Sequence, residues 1–500
     1  MNSQEKVVEM NTGASIYENS SNNIDSISSE RENFSSRLGF ILAAAGSAVG
    51  IGNLVGFPVN AAKNGGGAFL IIYAFFIVVI CLPVMAAELA MGRKTKKGPV
   101  GAFGSLSNQQ PIWRAAGLIG VITPFMVGVF YTVISVWILS YLVMAAVGKL
   151  DHLAVEGTFS EFINSPYIFV ALIAVMTIIY AILRLGVQKG IENASKILMP
   201  ALFIMLLALV VFVLTLDNAT AGITFYVIPD IDKITASVVN SALSQAFFSL
   251  SLGMGVLITY GSYLAKNTDI VGSAKFIALA DTCVAFIAGL LILPAIFSFD
   301  PDVNPIELSN SSLSLIFVLL PKIFLALQTS IGFIGASVVA TLFFTLVFFA
   351  AITSLVSVIE VPVAFLIDEK KHSRKKALST IAIFGGLLTI LCALSFGMVS
   401  QLTEFINYGG STKSFFDIIM DLFYDTILPL NGLLVCFFVS YRWKKHSLNH
   451  ELSIGNKEFE GSLMQKYINF SLSTFIPVIL LAIFLNTIAQ KFFTTSLFGF

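Results

Sequence analysis

The sequence Gly46-Ser-Ala-Val-Gly-Ile-Gly-Asn53 lies in the middle of the first long apolar segment, where a membrane-crossing helix would ordinarily continue unbroken. Its glycines, serine and asparagine weaken a helix. Because hydrocarbon offers no hydrogen-bond partners, backbone groups freed there must be buried in protein or line a polar cavity. A second interruption, Ser251-Leu-Gly-Met-Gly255, lies in the middle of the sixth apolar segment. Two broken helices five segments apart are typical of an ion-coupled carrier and not of a passive anchor.

The composition predicts a membrane protein. Of 500 residues, 56% are apolar and only 12% are charged, which is about half the charged fraction of a soluble domain. Eleven apolar stretches are long enough to cross a bilayer. The net charge is zero, so no basic field predicts binding to nucleic acid. We therefore expect an all-α polytopic membrane protein with about eleven transmembrane helices in contact with lipid.

The distribution of charge predicts the orientation in the membrane. Residues 1–36 are polar and lack an apolar signal region, so they predict a disordered cytoplasmic tail. Basic clusters such as Arg93–Lys97 and Lys370–Lys376 fall on one predicted side, and acidic loops fall on the other. By the positive-inside rule the N-terminus is cytoplasmic and, after an odd number of crossings, the C-terminus is external.

The two interruptions also predict internal symmetry. Five crossings separate them, so the two broken segments enter the membrane from opposite sides. This predicts inverted five-helix repeats at 37–215 and 240–441, with a binding site at mid-membrane and a peripheral eleventh helix within 467–500. Alternatively, Gly50-Ile-Gly52 and Gly253-Met-Gly255 merely allow close helix packing, as small residues do in membranes. The symmetric positions of the two motifs favour the binding site.

Several motifs resemble those of the neurotransmitter:sodium symporter family, which has the LeuT fold. Besides residues 46–53, the resemblance rests on Phe57-Pro58, Asn64-Gly-Gly-Gly-Ala-Phe69, Glu88-Leu-Ala-Met-Gly-Arg93, Tyr131, Gly190-Ile-Glu192, Gln245-Ala-Phe-Phe-Ser249 and Thr353-Ser354. It extends from residue 31 to about 440, and the helix number resembles a bacterial member. The resemblance implies a carrier in the inner (plasma) membrane and no cofactor besides sodium as coupling ion.

The resemblance implies two sodium sites. Sodium prefers oxygen ligands, and an unwound helix supplies carbonyls. Site 1 would comprise Ala48, Asn53, Ser249, Asp281 and the substrate carboxylate; site 2 would comprise Gly46, Val49, Ala350, Thr353 and Ser354. The hydroxyls of Thr353 and Ser354 could instead bond to their own helix backbone. An aspartate in an apolar segment is costly unless it is paired or ion-bound. We expect Asp281 to supply the negative charge for which many relatives need chloride, making transport chloride-independent.

An α-amino acid fits the remaining groups. Backbone N–H groups of Ile51 and Gly52 at a half-helix N-terminus favour a carboxylate, to which Tyr131 could also donate. By resemblance, the rest of the substrate site would be Val127, Phe248, Ser251, Met254, Ser354 and Val358. These side chains are uncharged and mostly apolar, which predicts a neutral substrate. The flexible Met254 between two glycines makes a large, aromatic one plausible.

Gates on both sides are also implied by the resemblance. On the cytoplasmic side, Arg31 would pair with Asp368, Phe34 would act as an aromatic plug, and Tyr263 and Glu360 would support them. Gly190 and Pro200 match the family's helix-unwinding motif in segment five. On the outer side, relatives have an arginine where this chain has Gly56. We therefore expect no outer ionic gate and expect closure by Phe248 and by residues Leu315–Leu327.

The sequence thus predicts a sodium-coupled symporter that imports neutral, hydrophobic or aromatic L-amino acids by alternating access. An intramembrane enzyme lacks a nucleophile–base pair or a metal cluster within the spans. A leaky channel or a non-transporting sensor of the same fold would not need two gates and a carboxylate site, but the missing arginine at Gly56 keeps it as an alternative. A symporter for another small neutral solute is the alternative within carriers. The exact amino acid and the oligomeric state are left open.

Overall fold

A computed structural model describes residues 32–299 and 315–497 of the chain. The first apolar segment is divided into α1 (Arg37–Ala48) and α2 (Gly52–Lys63), which are bent by 53° relative to each other. Nine further helices are long and apolar enough to cross a membrane within the described ranges. They are α3 (Gly67–Thr95), α4 (Pro111–Ala146), α5 (Tyr167–Arg184), α6 (Val187–Val213), α9 (Ile270–Phe299), α10 (Gln328–Asp368), α11 (Arg374–Leu394), α12 (Phe415–Arg442) and α13 (Leu463–Phe493).

The sixth apolar segment forms two shorter helices, α7 (Ala236–Ser249) and α8 (Val256–Ser262). Length and composition alone therefore identify nine spans, or ten with the bent first pair, in the described part of the chain. The α7–α8 pair occupies the position of the remaining predicted span. Shorter helices connect these elements at Pro99–Leu106, Leu150–Leu153, Thr158–Ile163, Ala219–Val227, Leu315–Ala326, Ser400–Thr403 and Lys445–Ser453, with single turns at Ile231–Lys233 and Lys457–Phe459.

Both predicted breaks are present, and each has a local cause. α1 ends at Ala48, because Val49 adopts an extended conformation with ψ 95°. In the second break, Gly253 and Gly255 have φ values of +73° and +65°, which disfavour residues with a side chain. A Cβ atom at Gly253 would lie 2.6 Å from the carbonyl oxygen of Leu428 in α12. Glycine therefore permits both the turn and the close approach of the neighbouring helix.

The residues just before α1 are ordered, although the polar composition predicts a disordered tail through residue 36. Ser36 caps α1 by accepting the N–H of Gly39 at 3.0 Å. The Ser35 N–H donates to Glu192 Oε2 in α6 at 2.7 Å, and Phe34 is buried. Hydrogen bonding and aromatic packing thus fix residues that composition alone groups with a polar tail.

One small sheet lies in the loop before α12. Strands β1 (Ile406–Tyr408) and β2 (Ser411–Lys413) form an antiparallel hairpin in which Ile406 pairs with Lys413. Two glycines with positive φ, Gly409 and Gly410, make the turn between them. The hairpin packs against the end of α13, since a Cβ atom at Gly409 would clash with the carbonyl oxygen of Lys491.

Candidate functional site

A central cavity lies between the two helix breaks. Its described lining residues come from α1, α2, α4, α7, α10 and the breaks, and none of them carries a charge. The lining consists of Ser47, Ala48, Gly50, Gly52, Val127, Tyr131, Phe248, Ser249, Ser251, Met254, Ser354 and Val358. Of the predicted substrate residues, the structure brings all but Ile51 to this wall. The combination of an apolar wall with hydroxyls and helix ends suits a neutral molecule that has polar groups at one end.

Tyr131 connects the first break to α4. The N–H of Ile51 donates to the Tyr131 hydroxyl at 2.9 Å. The Ile51 N–H, one of the two backbone donors expected to bind a carboxylate, is therefore already bonded. The Tyr131 hydroxyl group belongs to the cavity lining instead. Gly50 is enclosed here, because a Cβ atom would lie 2.7 Å from both the Ser354 and the Tyr131 hydroxyl oxygens.

Asp281 is the buried acidic centre beside this cavity. Its carboxylate accepts a 2.7 Å hydrogen bond from the Asn53 side-chain amide and lies 2.9 and 3.0 Å from the Ser249 hydroxyl. Tyr73 of α3 also donates, to Oδ2 at 2.9 Å. No ion pair to a basic side chain is formed by Asp281 within residues 32–299 and 315–497. A buried carboxylate held only by neutral groups is suited to a cation. Ala48, the last residue of α1, lines the same cavity as Ser249.

A second group of oxygens lies where α10 crosses the first break. The Ser354 hydroxyl is 3.1 Å from the Ser47 carbonyl oxygen and 3.4 Å from that of Gly46. Thr353 behaves as the backbone alternative expects, because its hydroxyl donates to the carbonyls of Phe349 and Ala350 within its own helix. Val49 follows the last residue of α1, and its N–H donates to the Ala45 carbonyl. The carbonyl of Val49 itself therefore lies beyond the regular helix. The structure thus gathers hydroxyl and carbonyl oxygens from both elements.

Two side chains that support the second break, one acidic and one amide, were not among the predicted site residues. Glu88 of α3 accepts the N–H of Gly253 at 2.9 Å, and Asn431 of α12 donates to the Gly253 carbonyl at 2.8 Å. Both side chains are buried. Glu88 could have been found, because an acid in an apolar segment is a functional candidate by itself. Tyr73 gave no such signal, since a tyrosine among apolar residues is ordinary.

Most predicted cytoplasmic-gate residues lie together at one end of the bundle. The Tyr263 hydroxyl donates to Glu360 Oε1 at 2.7 Å, and the Phe34 ring packs 6.2 Å from the Tyr263 ring. Glu360 also receives two hydrogen bonds from Arg374, a partner that the sequence did not suggest. Asp368 accepts the N–H of Gly98 at 2.8 Å. Its predicted partner, Arg31, lies outside the described residues.

The predicted unwinding motif of α6 is helical in this structure. Gly190 lies in a π-helical stretch, Val187–Glu192, and Pro200 lies inside the α-helix that continues from it. A Cβ atom at Gly190 would lie 2.0 Å from the carbonyl oxygen of Ile182 in α5. Glycine therefore serves a close contact here. Single π-helical turns are frequent at functional sites, so the motif stays a candidate for unwinding.

Comparison with known proteins agrees with this geometry. The model of the sodium:neurotransmitter symporter family matches residues 31–161 and 152–497. The uncharacterized sodium-dependent transporter YhdH of Bacillus subtilis is 35% identical over 91% of this chain and 97% of its own. An uncharacterized sodium-dependent transporter of Haemophilus influenzae is 32% identical over 92% and 98%.

Among solved structures, the crystal structure of MhsT in complex with L-phenylalanine is similar to this chain. The TM-score is 0.79 and the sequence identity is 38%, and the match covers 91% of this chain and 99% of MhsT. The expected LeuT fold is thereby confirmed. The resemblance inferred from the motifs around both helix breaks is confirmed as well.

Proposed function

The chain belongs to the sodium:neurotransmitter symporter family, and from that premise we propose that it imports neutral, hydrophobic or aromatic L-amino acids by alternating access. Membership makes it a polytopic, sodium-dependent symporter for a small molecule and not an enzyme. The proposal concerns the identity of that molecule, the residues that bind it, and the direction of transport.

The observation that carries the substrate proposal is the uncharged cavity between the two breaks. An amino-acid carboxylate would lie at the first break, near the N–H of Gly52 and the hydroxyl of Tyr131. The ammonium would meet carbonyls at the end of α7, around Phe248 and Ser251. Val127, Met254 and Val358 would then surround an apolar side chain. The L-phenylalanine of the MhsT complex supports a ligand of this class.

The two oxygen groups are proposed as sodium sites. Sodium site 1 would use Asn53, Ser249 and Asp281 with the Ala48 carbonyl and the substrate carboxylate. Site 2 would use the Ser354 and Thr353 hydroxyls with the carbonyls of Gly46, Val49 and Ala350. Because substrate and sodium share site 1, each would raise the affinity for the other, which couples their transport.

Asp281 would also remove the need for chloride. Its fixed negative charge lies inside the protein, and sodium would neutralise it during each cycle. We expect uptake to be unchanged when gluconate replaces chloride on both sides of the membrane. A loss of uptake in gluconate would show that the charge of Asp281 is insufficient.

The proposed setting is the bacterial inner membrane, with the Phe34 end of the bundle in the cytoplasm. Basic side chains at this end support the proposal, since Arg374 donates to Glu360 and Lys96 donates to Asn33, and the positive-inside rule favours the cytoplasm for such an end. Helices from 37–215 and 240–441 would form the inverted repeats, and the cytoplasmic gate would include Arg31 beside Asp368. A cysteine introduced at the loop residue Lys149 should react with an impermeant reagent from outside the cell, whereas one at Lys375 should not.

The amino-acid proposal is tested with purified protein in proteoliposomes. Each of the twenty amino acids competes with labelled L-phenylalanine for uptake in an inward sodium gradient. We expect competition from leucine, isoleucine, methionine and the aromatic residues, and none from aspartate or lysine. Sodium-driven uptake of a charged or non-amino-acid solute alone would contradict the substrate class while leaving family membership intact.

A further inference from the structure

A cluster of charged side chains joins α12 to the end of α13. Lys491 Nζ lies 2.7 Å from Asp425 Oδ2 and 2.7 Å from Asp421 Oδ1. The Tyr408 hydroxyl of the hairpin donates to Asp421 Oδ2 at 2.8 Å. The Asp421 side chain is 4% exposed and that of Lys491 is 36% exposed. Lys413 of the hairpin lies farther away, with its Nζ 3.9 Å from Asp421 Oδ2. Lys491, on the helix expected to be peripheral, is thus the closest cation to both carboxylates and the one that bridges them.

A second cavity, which we call the vestibule, adjoins this cluster. Its lining includes Asn60 of α2, Gln245 and Phe248 of α7, and Asp425 and Lys491. Phe248 also lines the central cavity, so its ring forms the wall between the two. We call it the roof phenylalanine. A molecule passing from the vestibule to the central cavity would have to displace this ring.

The roof phenylalanine is held from two directions. On one side, Gln245 binds α7 to α2: its amide donates to the Gly52 carbonyl at 3.1 Å and accepts from Asn60 at 2.9 Å. On the other side, the ring packs against Tyr424 of α12, with 4.2 Å between the ring centroids. Tyr424 is adjacent to Asp425, in the π-helical stretch Met420–Thr426. Lys491 therefore fixes the turn that supports the ring.

Because α2 has a glycine at position 56, a basic side chain for an outer ion pair would have to come from another helix. Among the described residues, a Cβ atom at Gly56 would meet one atom within 4 Å, the Gln245 Oε1 atom at 3.9 Å. The first broken helix therefore contributes no positive charge at this position, and the residue by which it lines the vestibule, Asn60, is neutral. Without Lys491, two carboxylates one turn apart would repel each other, and the buried Asp421 would keep only the more distant Lys413 as an ion-pair partner among the described residues.

We propose that Lys491 is a positioning residue for outer closure: by pairing with Asp425 and Asp421 it holds Tyr424 against the roof phenylalanine. The eleventh span thereby supplies the cation that the first span lacks at Gly56. This inference rests on the proposed alternating access, in which the vestibule faces outward. It replaces the expectation that closure on this side has no ionic component.

The test measures how fast the central cavity is reached from outside. A Val127→Cys reporter is labelled with an impermeant methanethiosulfonate on intact cells, with the signal of the Val127 parent subtracted for native cysteines. The labelling rates of all variants are compared in one medium, sodium or potassium. The medium chosen is the one in which the parent reporter is labelled more slowly. Lys491→Met is compared with Lys491→Arg and with Lys149→Met, a control at an exposed loop lysine. Labelling needs no knowledge of the substrate, so its result is separable from the uptake assay.

We expect Lys491→Met to accelerate labelling by about tenfold or more, since truncating one partner of a charge pair mainly speeds opening. Lys491→Arg should restore the parent rate, and Lys149→Met should not change it. If Lys491→Met is not recovered as a monodisperse protein, Asp425→Asn serves instead, with a smaller acceleration expected because Asp421 still holds the lysine. A parent-like rate in the neutral variant, or an equal acceleration in Lys491→Arg, would overturn the proposal.

Discussion

Replacing Asp281 with asparagine removes the charge on which the proposed sodium site depends and changes little else. The two side chains have the same shape. The new amide oxygen can accept from Asn53, and the hydroxyls of Tyr73 and Ser249 can rotate to accept from its nitrogen. A sodium ion about 4 Å from a carboxylate, at an effective dielectric constant of about 20, gains about 4 kcal/mol. The amide oxygen remains a ligand, so we expect a net loss of roughly 2 to 3 kcal/mol, or about 30- to 150-fold in sodium affinity.

Thermal unfolding measures this loss without a transport assay. Bound sodium raises Tm according to its concentration relative to Kd, so the sodium concentration that produces a given shift should rise by the same factor. In potassium the variant should be at least as stable as wild type, because it no longer buries a charge without a cation. Asp151→Asn, at an exposed position of the short helix Leu150–Leu153, is the matched control. An unchanged sodium dependence in Asp281→Asn would refute the role of this charge.

Three further changes probe the same centre. Ser354→Ala removes a site 2 oxygen and should weaken sodium activation of uptake several-fold; unchanged activation would remove this hydroxyl from the site. Tyr131→Phe leaves the Ile51 N–H without its acceptor, at a cost of about 1 to 3 kcal/mol, so KM measured by uptake should rise and sodium affinity should not. Gly52→Ala places a Cβ atom 2.8 Å from the roof phenylalanine. In Gly52→Ala, L-phenylalanine should no longer slow the labelling of the Val127→Cys reporter. In Gly56→Ala, whose Cβ atom would lie 3.9 Å from Gln245 Oε1, L-phenylalanine should still slow it.

The helix breaks could be predicted from the sequence because glycine in an apolar segment has a direct physical meaning. At Gly253 the structure shows a positive φ, and a side chain there would clash with α12. The cavity residues followed from the family resemblance, which transfers positions along the chain reliably where no insertions intervene. Asp281 stood out for a physical reason, since an acid among apolar residues needs a partner.

Contacts between distant segments were not predictable in the same way. Lys491 follows a long apolar segment and looks like a solvated terminal lysine, and only folding brings it to the two aspartates of α12. Arg374 similarly belongs to a basic loop in the sequence, yet it donates to the buried Glu360. In both cases the charge pair depends on packing between helices, which local periodicity does not encode.

The most direct test of the central claim is accumulation of labelled L-phenylalanine by proteoliposomes in an inward sodium gradient. The proposed symport predicts a transient internal concentration above the external one, which collapses when a sodium ionophore is added. Replacing external sodium with potassium should abolish the accumulation, and replacing chloride with gluconate should not affect it. Accumulation that persists in potassium would contradict sodium coupling at this site. Absence of accumulation for phenylalanine and for every other amino acid would contradict the proposed substrate class.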